Sequence, residues 1–304
     1  MNLVLMGAWG IGETALATAL ATPGWQVVAV LTRPFDVTTN DPWRNRVWEL
    51  AERHGVPVHT TRDINAPQSI EWLRSLDADL FLSAAFPKLL SAPVLSIPRF
   101  GALNLHGSLL PKNRGTSPVN WALLRDEPQV GLTMHFIDAG MDTGDIVFQK
   151  AIDVTDDDLP GMLADRLKDL APPMIREALT RLAQGQPLPR IPQNHAMMTL
   201  APRLTVELRE IDWTQSARQV WSFVRGLAQP GLGAWTRCNG ERCVLERAKI
   251  EKLKGVFSSP GAILQSQDWL HVACGTGILA VPRAFIRMEN GALLDEFNFG
   301  QRFG

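Results

Sequence analysis

Cysteine is scarce: three residues in 304, Cys238, Cys243 and Cys274, all in the last third of the chain. They cannot make a disulfide framework. Cys238 and Cys243 have no CxxC partner pair and no nearby histidine, so they read as structural thiols and not as a metal pair. No apolar run approaches the roughly 20 residues needed to cross a bilayer. A basic leader is also missing, because Met1-Asn2 runs straight into Leu3-Val4-Leu5-Met6, a buried first strand. The expected setting is therefore cytoplasmic, with no membrane partner. Neither sign of charge dominates, at 30 Lys+Arg against 31 Asp+Glu. Residues 1–200 carry 17 Lys/Arg against 21 Asp/Glu, and residues 201–304 carry 13 against 10. That mildly basic tail suits an anionic partner but is too weak to imply nucleic acid by itself.

What is present is a soluble, two-domain composition, 45% hydrophobic and 20% charged. Over the first 150 residues, apolar strand-like runs (2–7, 27–32, 56–60, 80–84, 102–106, 132–137, 146–152) alternate with helical patterns (13–21, 43–54, 70–76, 118–125). Alternation on this scale predicts an α/β fold: a doubly wound, mostly parallel sheet covered by helices. A long amphipathic helix follows over 159–184, which Pro172-Pro173 should kink or split. Asp156-Asp157-Asp158 reads as its N-terminal cap. The expected organisation is a catalytic domain over 1–185, a proline-rich linker over 186–204 and a tail domain over 205–304. In the tail, a helix over 216–227 capped by Thr214 or Ser216 precedes short strands (233–238, 242–250, 261–266, 269–273, 278–285). Turn signals at Asn239-Gly240, Gly275-Thr276-Gly277 and Asn290-Gly291 separate them, which suggests a small OB-like β-barrel.

The chemistry concentrates in Asn104-Leu105-His106-Gly107-Ser108-Leu109-Leu110-Pro111 and, further on, Asp138-Ala139-Gly140-Met141-Asp142-Thr143-Gly144-Asp145. The side-chain period of a strand is two, so Asn104 and His106 face one side together. An amide, an imidazole and a carboxylate from a glycine-rich turn are equipment for acyl transfer: oxyanion donor, proton carrier and imidazolium partner. Open parallel sheets bind ligands at the C-terminal ends of their strands, where His106 lies. Other features read as structural. Gly7-Ala8-Trp9-Gly10-Ile11-Gly12 has GxxGxG spacing, and strand two ends in Thr32-Arg33-Pro34 with no acidic residue, so it is a tight turn and not a dinucleotide site. Ser108 has no GxSxG elbow and shapes the loop. Trp43, Trp48 and Trp72 pack, and His54, His59, His135, His195 and His271 are structural or surface residues.

The segment Asn104 to Gly115, with Gly131-Leu132-Thr133-Met134-His135 and Met141-Asp142-Thr143-Gly144-Asp145, resembles the folate-dependent formyltransferase family. Ile211-Asp212-Trp213, Arg225-Gly226-Leu227 and Pro230-Gly231-Leu232-Gly233-Ala234-Trp235-Thr236 extend the resemblance into the tail. The resemblance implies 10-formyltetrahydrofolate as donor, no metal, and Asn104, His106 and Asp142 as catalytic trio. It implies a pterin pocket involving Phe86, Pro87, Leu89, Leu90, Asp138 and Gly140, where this tyrosine-free chain carries Ala85-Phe86-Pro87. It implies a substrate loop of Ser108, Leu109, Leu110, Pro111, Arg114 and Gly115. In the mechanism this suggests, an amine attacks the formyl carbon while Asn104 and a protonated His106 stabilise the oxyanion. Asp142 holds the imidazole and assists removal of the amine proton.

The acceptor is less marked. The loop from Arg33 to Asp41 has one basic residue and two acids, which would repel a phosphate backbone. Ser117-Pro118-Val119-Asn120-Trp121 also resembles small-amine members of the family. The expectation is therefore a small metabolite amine, such as a nucleotide-linked aminosugar or hydroxyornithine. Methionyl-tRNA is the alternative, and a non-catalytic folate or nucleotide sensor is a second one. The tail is left open as a substrate-binding, homodimerising or bracing module.

Overall fold

The computed structural model describes residues 1–38, 45–228, 233–238, 241–266, 268–288 and 303. Trp43, the end of the loop after the second strand, Pro230-Gly231-Leu232 and the turns at Asn239-Gly240 and Asn290-Gly291 lie outside the described residues. The chain forms two compact units that are not contiguous in sequence. The first comprises Met1–Thr116, Val130–Ile152 and Ala164–Ala201, and the second Ser117–Gln129, Asp153–Leu163 and Pro202–Gly304.

In chain order the strands up to residue 201 are β1 (Asn2–Gly7), β2 (Gln26–Leu31), β3 (Val58–His59), β4 (Leu80–Ala84), β5 (Ala102–His106), β6 (Arg114–Gly115), β7 (Gln129–Phe136), β8 (Ile146–Asp153) and β9 (Leu200–Ala201). The helices are α1 (Trp9–Leu20), α2 (Arg46–Arg53), α3 (Pro67–Ser75), α4 (Ala92–Leu95), α5 (Pro118–Leu124), α6 (Pro160–Lys168) and α7 (Ala171–Ala183). Seven strands make one sheet in the order β3-β2-β1-β4-β5-β7-β8. Pairing is parallel from β3 to β5 and becomes antiparallel between β5 and β7. Leu3, Val4, Leu5, Leu80 and Phe81 are fully buried, as strands covered on both faces require.

The long helix expected over 159–184 is two helices, α6 and α7, broken at Asp169-Leu170. Proline lacks an amide donor and is tolerated only in a helix's first turn, where Pro172 and Pro173 sit. The aspartate run divides its labour. Asp158 accepts hydrogen bonds from the Thr155 amide and hydroxyl, whereas Asp156 pairs with Arg218. The segment 186–204, read as a linker, contains β9, which pairs in parallel with β6.

In the second unit, α8 (Ala217–Gly226) starts at a capping box: the Ser216 hydroxyl accepts from the Gln219 amide while the Gln219 side chain bonds back. Two antiparallel sheets follow, built from β10 (Ala234–Cys238), β11 (Glu241–Leu245), β12 (Lys249–Val256), β13 (Ile263–Ser266), β14 (Trp269–Ala273), β15 (Thr276–Pro282) and β16 (Ile286–Met288). Their orders are β10-β11-β16 and β12-β15-β14-β13. The single strand expected over 242–250 is two strands that belong to different sheets. One core holds Val220, Trp221 and Val224 of α8 against Leu245, Val272 and Leu279, with all three cysteines buried as free thiols. Asp126 ties α8 to the end of α5, accepting from Arg218 Nε (2.7 Å) and Ser222 Oγ (3.0 Å).

Ser216→Ala removes the side-chain acceptor of the Gln219 amide, while the bond from the Ser216 amide to the Gln219 side chain survives, and is expected to cost about 1 kcal/mol. Urea unfolding of the variant checks this, and an unchanged midpoint would contradict it.

Candidate active site

The site is built where the sheet changes from parallel to antiparallel. Along β5, Leu103 and Leu105 are buried core residues, while Asn104 and His106 occupy the alternate face. β7 aligns His135 opposite Asn104 and Thr133 opposite His106. Residues directly opposite in an antiparallel pair share a face, so register alone brings His135 to Asn104.

Asp142 arrives from the turn after β7. Asp138 folds that turn locally, its Oδ1 accepting from the Gly140 amide and the Thr143 hydroxyl. Gly144 is required by space, since a Cβ there would collide with the Phe136 carbonyl oxygen. Asp142 itself is held in left-handed backbone at φ 55°, a conformation that aspartate tolerates better than most residues. Its Oδ2 accepts from the Gly115 amide at 2.9 Å and lies 3.5 Å from His106 Nδ1. Its Oδ1 lies 3.5 Å from His135 Nε2.

The hydrogen bonds fix which nitrogen carries each proton. A carbonyl can only accept, so His106 donates through Nε2 to the Asn113 carbonyl at 2.9 Å, leaving Nδ1 towards Asp142. His135 likewise donates through Nδ1 to the Phe136 carbonyl at 2.7 Å. Its Nε2 then accepts from Asn104 Nδ2 at 3.2 Å. Burial lowers the His106 pKa below its ordinary value, opposed by Asp142 and the Asn113 carbonyl and assisted by His135 and Arg114. Burial alone would raise the Asp142 carboxyl. Contact with His135, attraction to both imidazoles and the Gly115 amide outweigh it, and the carboxyl ends below the usual range.

The other expected site residues differ in burial and partners. Ser108 is buried and donates to the Lys112 carbonyl at 2.6 Å, as a loop-shaping residue should. Leu110 is buried, and Leu109 and Pro111 are half-buried. Arg114 is buried and bonded to Gln193, while Gly115 is pressed against β9, where a Cβ would meet the Ala201 carbonyl oxygen at 2.6 Å. Leu90 is a core side chain packed with Phe81 and Val94, and Phe86 leans on the same cluster. Pro87, Leu89 and Asp138 are exposed and Gly140 half-buried.

Three contributors escaped the sequence reading. His135, taken as structural, is 2% exposed at the centre of the polar cluster; its signal was the period-two alternation with Thr133. Asn113 acts through a carbonyl, which no side-chain pattern reveals. Gln193 comes from the segment read as a linker.

The formyl transferase family model matches residues 3–179 and the formyl transferase C-terminal domain model matches residues 203–299. The chain belongs to the formyl transferase family. This formyl transferase is 33% identical, over all of its own length and 98% of the relative's, to a methionyl-tRNA formyltransferase of Acetivibrio thermocellus. It is 35% identical to that of Geobacter metallireducens over 92% of this chain and 89% of the relative. Among solved structures, the sugar 3N-formyl transferase WlaRD superposes with a TM-score of 0.70 at 14% identity, covering 96% of this chain and 99% of that one. The N-formyltransferase of Helicobacter canadensis gives 0.70 at 15%, covering 92% and 98%. At such identities the likeness carries the fold alone. The full-length relatives overturn the expected small-amine acceptor and the disfavouring of tRNA. That expectation weighed the charge of one loop, whose Asp36 carboxylate is engaged by the Thr38 amide and hydroxyl.

Asp142 raises the His106 pKa, so Asp142→Asn should move the His106 midpoint, already below its ordinary value, further down. Imidazole carbon-bound proton shifts followed by NMR titration check this, and an upward movement would contradict it.

Proposed function

We propose that this formyl transferase moves a formyl group onto the α-amino group of methionyl-tRNA. The observation that carries the reading is the convergence of Asn104, His106, His135 and Asp142, in a chain aligned end to end with methionyl-tRNA formyltransferases. 10-Formyltetrahydrofolate supplies the formyl group. Half-buried Phe86 and exposed Leu89 and Met141, at 62% and 43%, are the apolar side chains this reading assigns to its flat pterin. Pro87 borders the same segment and Gly140 the Asp142 turn.

The roles follow from the hydrogen-bond geometry. Asn104 spends one amide hydrogen on His135, and the other is available to the carbonyl oxygen that gains charge as the amine attacks. Burial disfavours the charged form of His106. With Nε2–H committed to Asn113, Nδ1 is the atom that takes the amine proton and returns it to the departing nitrogen. Asp142, close to both imidazoles, stabilises the transient imidazolium.

The tail supports an anionic acceptor. β12 runs almost wholly exposed, with Lys249, Lys252 and Lys254 along it and exposed Arg247 just before it. Phosphate contacts by such side chains release counterions and make binding fall steeply with salt.

Purified protein with 10-formyltetrahydrofolate should formylate charged initiator tRNA, with efficiency dropping as salt rises. His106→Ala should lower kcat by about 10²- to 10⁴-fold. Lys252→Glu with Lys254→Glu should raise KM for tRNA and reduce the salt slope by about one per lost phosphate contact. Absence of transfer to methionyl-tRNA from an intact donor would overturn the reading.

A further inference from the structure

We propose that Gln193 and Arg114 are positioning residues that hold the Asp142 turn in its working geometry, a proposal that rests on the reading of Asp142 given above. Gln193 is 6% exposed and every polar hydrogen and lone-pair direction of its amide has a use. Its Nε2 donates to the carbonyls of Asp142 (2.9 Å) and Gly144 (2.7 Å), one on the carboxylate-bearing residue and one just beyond it. Its Oε1 accepts from Arg114 Nε (3.2 Å) and Nη2 (2.5 Å). Arg114 is 4% exposed, and Nη2 also donates to His195 Nδ1 at 3.1 Å.

The chain continues from Arg114 to Gly115, whose amide holds the Asp142 carboxylate itself. The Asp142 residue is thus gripped at its backbone by Gln193 and at its side chain by the neighbour of Arg114. β6–β9 pairing and the Asn113 amide's bond to Thr199 Oγ1 (2.9 Å) anchor the loop that presents Arg114 to the segment that presents Gln193. Such a brace has a clear purpose at a residue forced into left-handed backbone. Without it, the turn can relax and carry the carboxylate away from both imidazoles. A displacement near 1 Å in catalytic geometry costs about 10²-fold in rate.

Gln193→Glu separates positioning from scaffolding. Glutamate keeps an acceptor for Arg114 and adds an ion pair, but it loses both donors to the Asp142 and Gly144 carbonyls. The expected result is KM values for folate and tRNA near those of the parent, with kcat lower by about 30- to 100-fold. Gln193→Leu, neutral and unable to donate, should reproduce the kcat loss and carries the test if the glutamate variant does not fold. Parental kcat in either variant would overturn the proposal, as would a loss confined to KM. Asp142→Asn is assayed alongside. If the parent protein transfers formyl groups and Asp142→Asn is slow while Gln193→Glu is not, only this proposal fails; if the parent does not transfer, the functional reading fails.

Discussion

The antiparallel pairing of β7 against β5 sets Asn104 opposite His135, and the polar chemistry at the end of the sheet depends on that register. A slip of one residue would put Met134 across from Asn104 and turn His135 to the opposite face. The register is fixed by burial: Val130, Leu132, Met134 and Phe136 are buried and would lose their apolar surroundings in a slipped sheet. Core packing therefore specifies the site indirectly, by deciding which polar side chains can meet. The Asp142 turn brings its carboxylate to within 3.5 Å of both imidazoles and is held by the Gly115 amide and by Gln193.

Much of this was legible in the chain. β1, β4 and β5 have the limits that their apolar runs predict, because strands buried on both faces tolerate few polar residues. Asn104 and His106 were visible as a period-two pair, and Asp142 stood in a glycine-rich turn. His135 was missed because a lone histidine on an apolar strand carries no mark of its partner; only the pairing of β5 with β7 supplies one. Gln193 was hidden further, in a proline-rich stretch without periodicity, since tertiary hydrogen bonds of an amide leave no local pattern. The tail's strand over 242–250 failed as a unit for a similar reason: β11 and β12 join different sheets, and partner choice is non-local.

The acceptor shows how local charge misleads. One loop poor in cations argued against tRNA, yet salt confines electrostatic influence between exposed charges to about 8–10 Å, so a single loop says little about a large polyanion. Exposed lysines on β12 lie in a different part of the chain and are the kind of group that a phosphate backbone meets. In the proposed function, chemistry and acceptor choice fall to different residues: the strand-end cluster handles the transferred group, and the basic strand meets the body of the acceptor.

In the proposed transfer His106 and Asp142 act as one device, with the imidazole moving the proton and the carboxylate stabilising the charge that results. The most direct measurement is a double-mutant cycle on kcat/KM for formyl transfer, using His106→Ala, Asp142→Ala and the pair together. Residues that work as a unit give strongly non-additive losses. The double variant is expected to be about as slow as the slower single one; losses that multiply would contradict the pairing of His106 with Asp142.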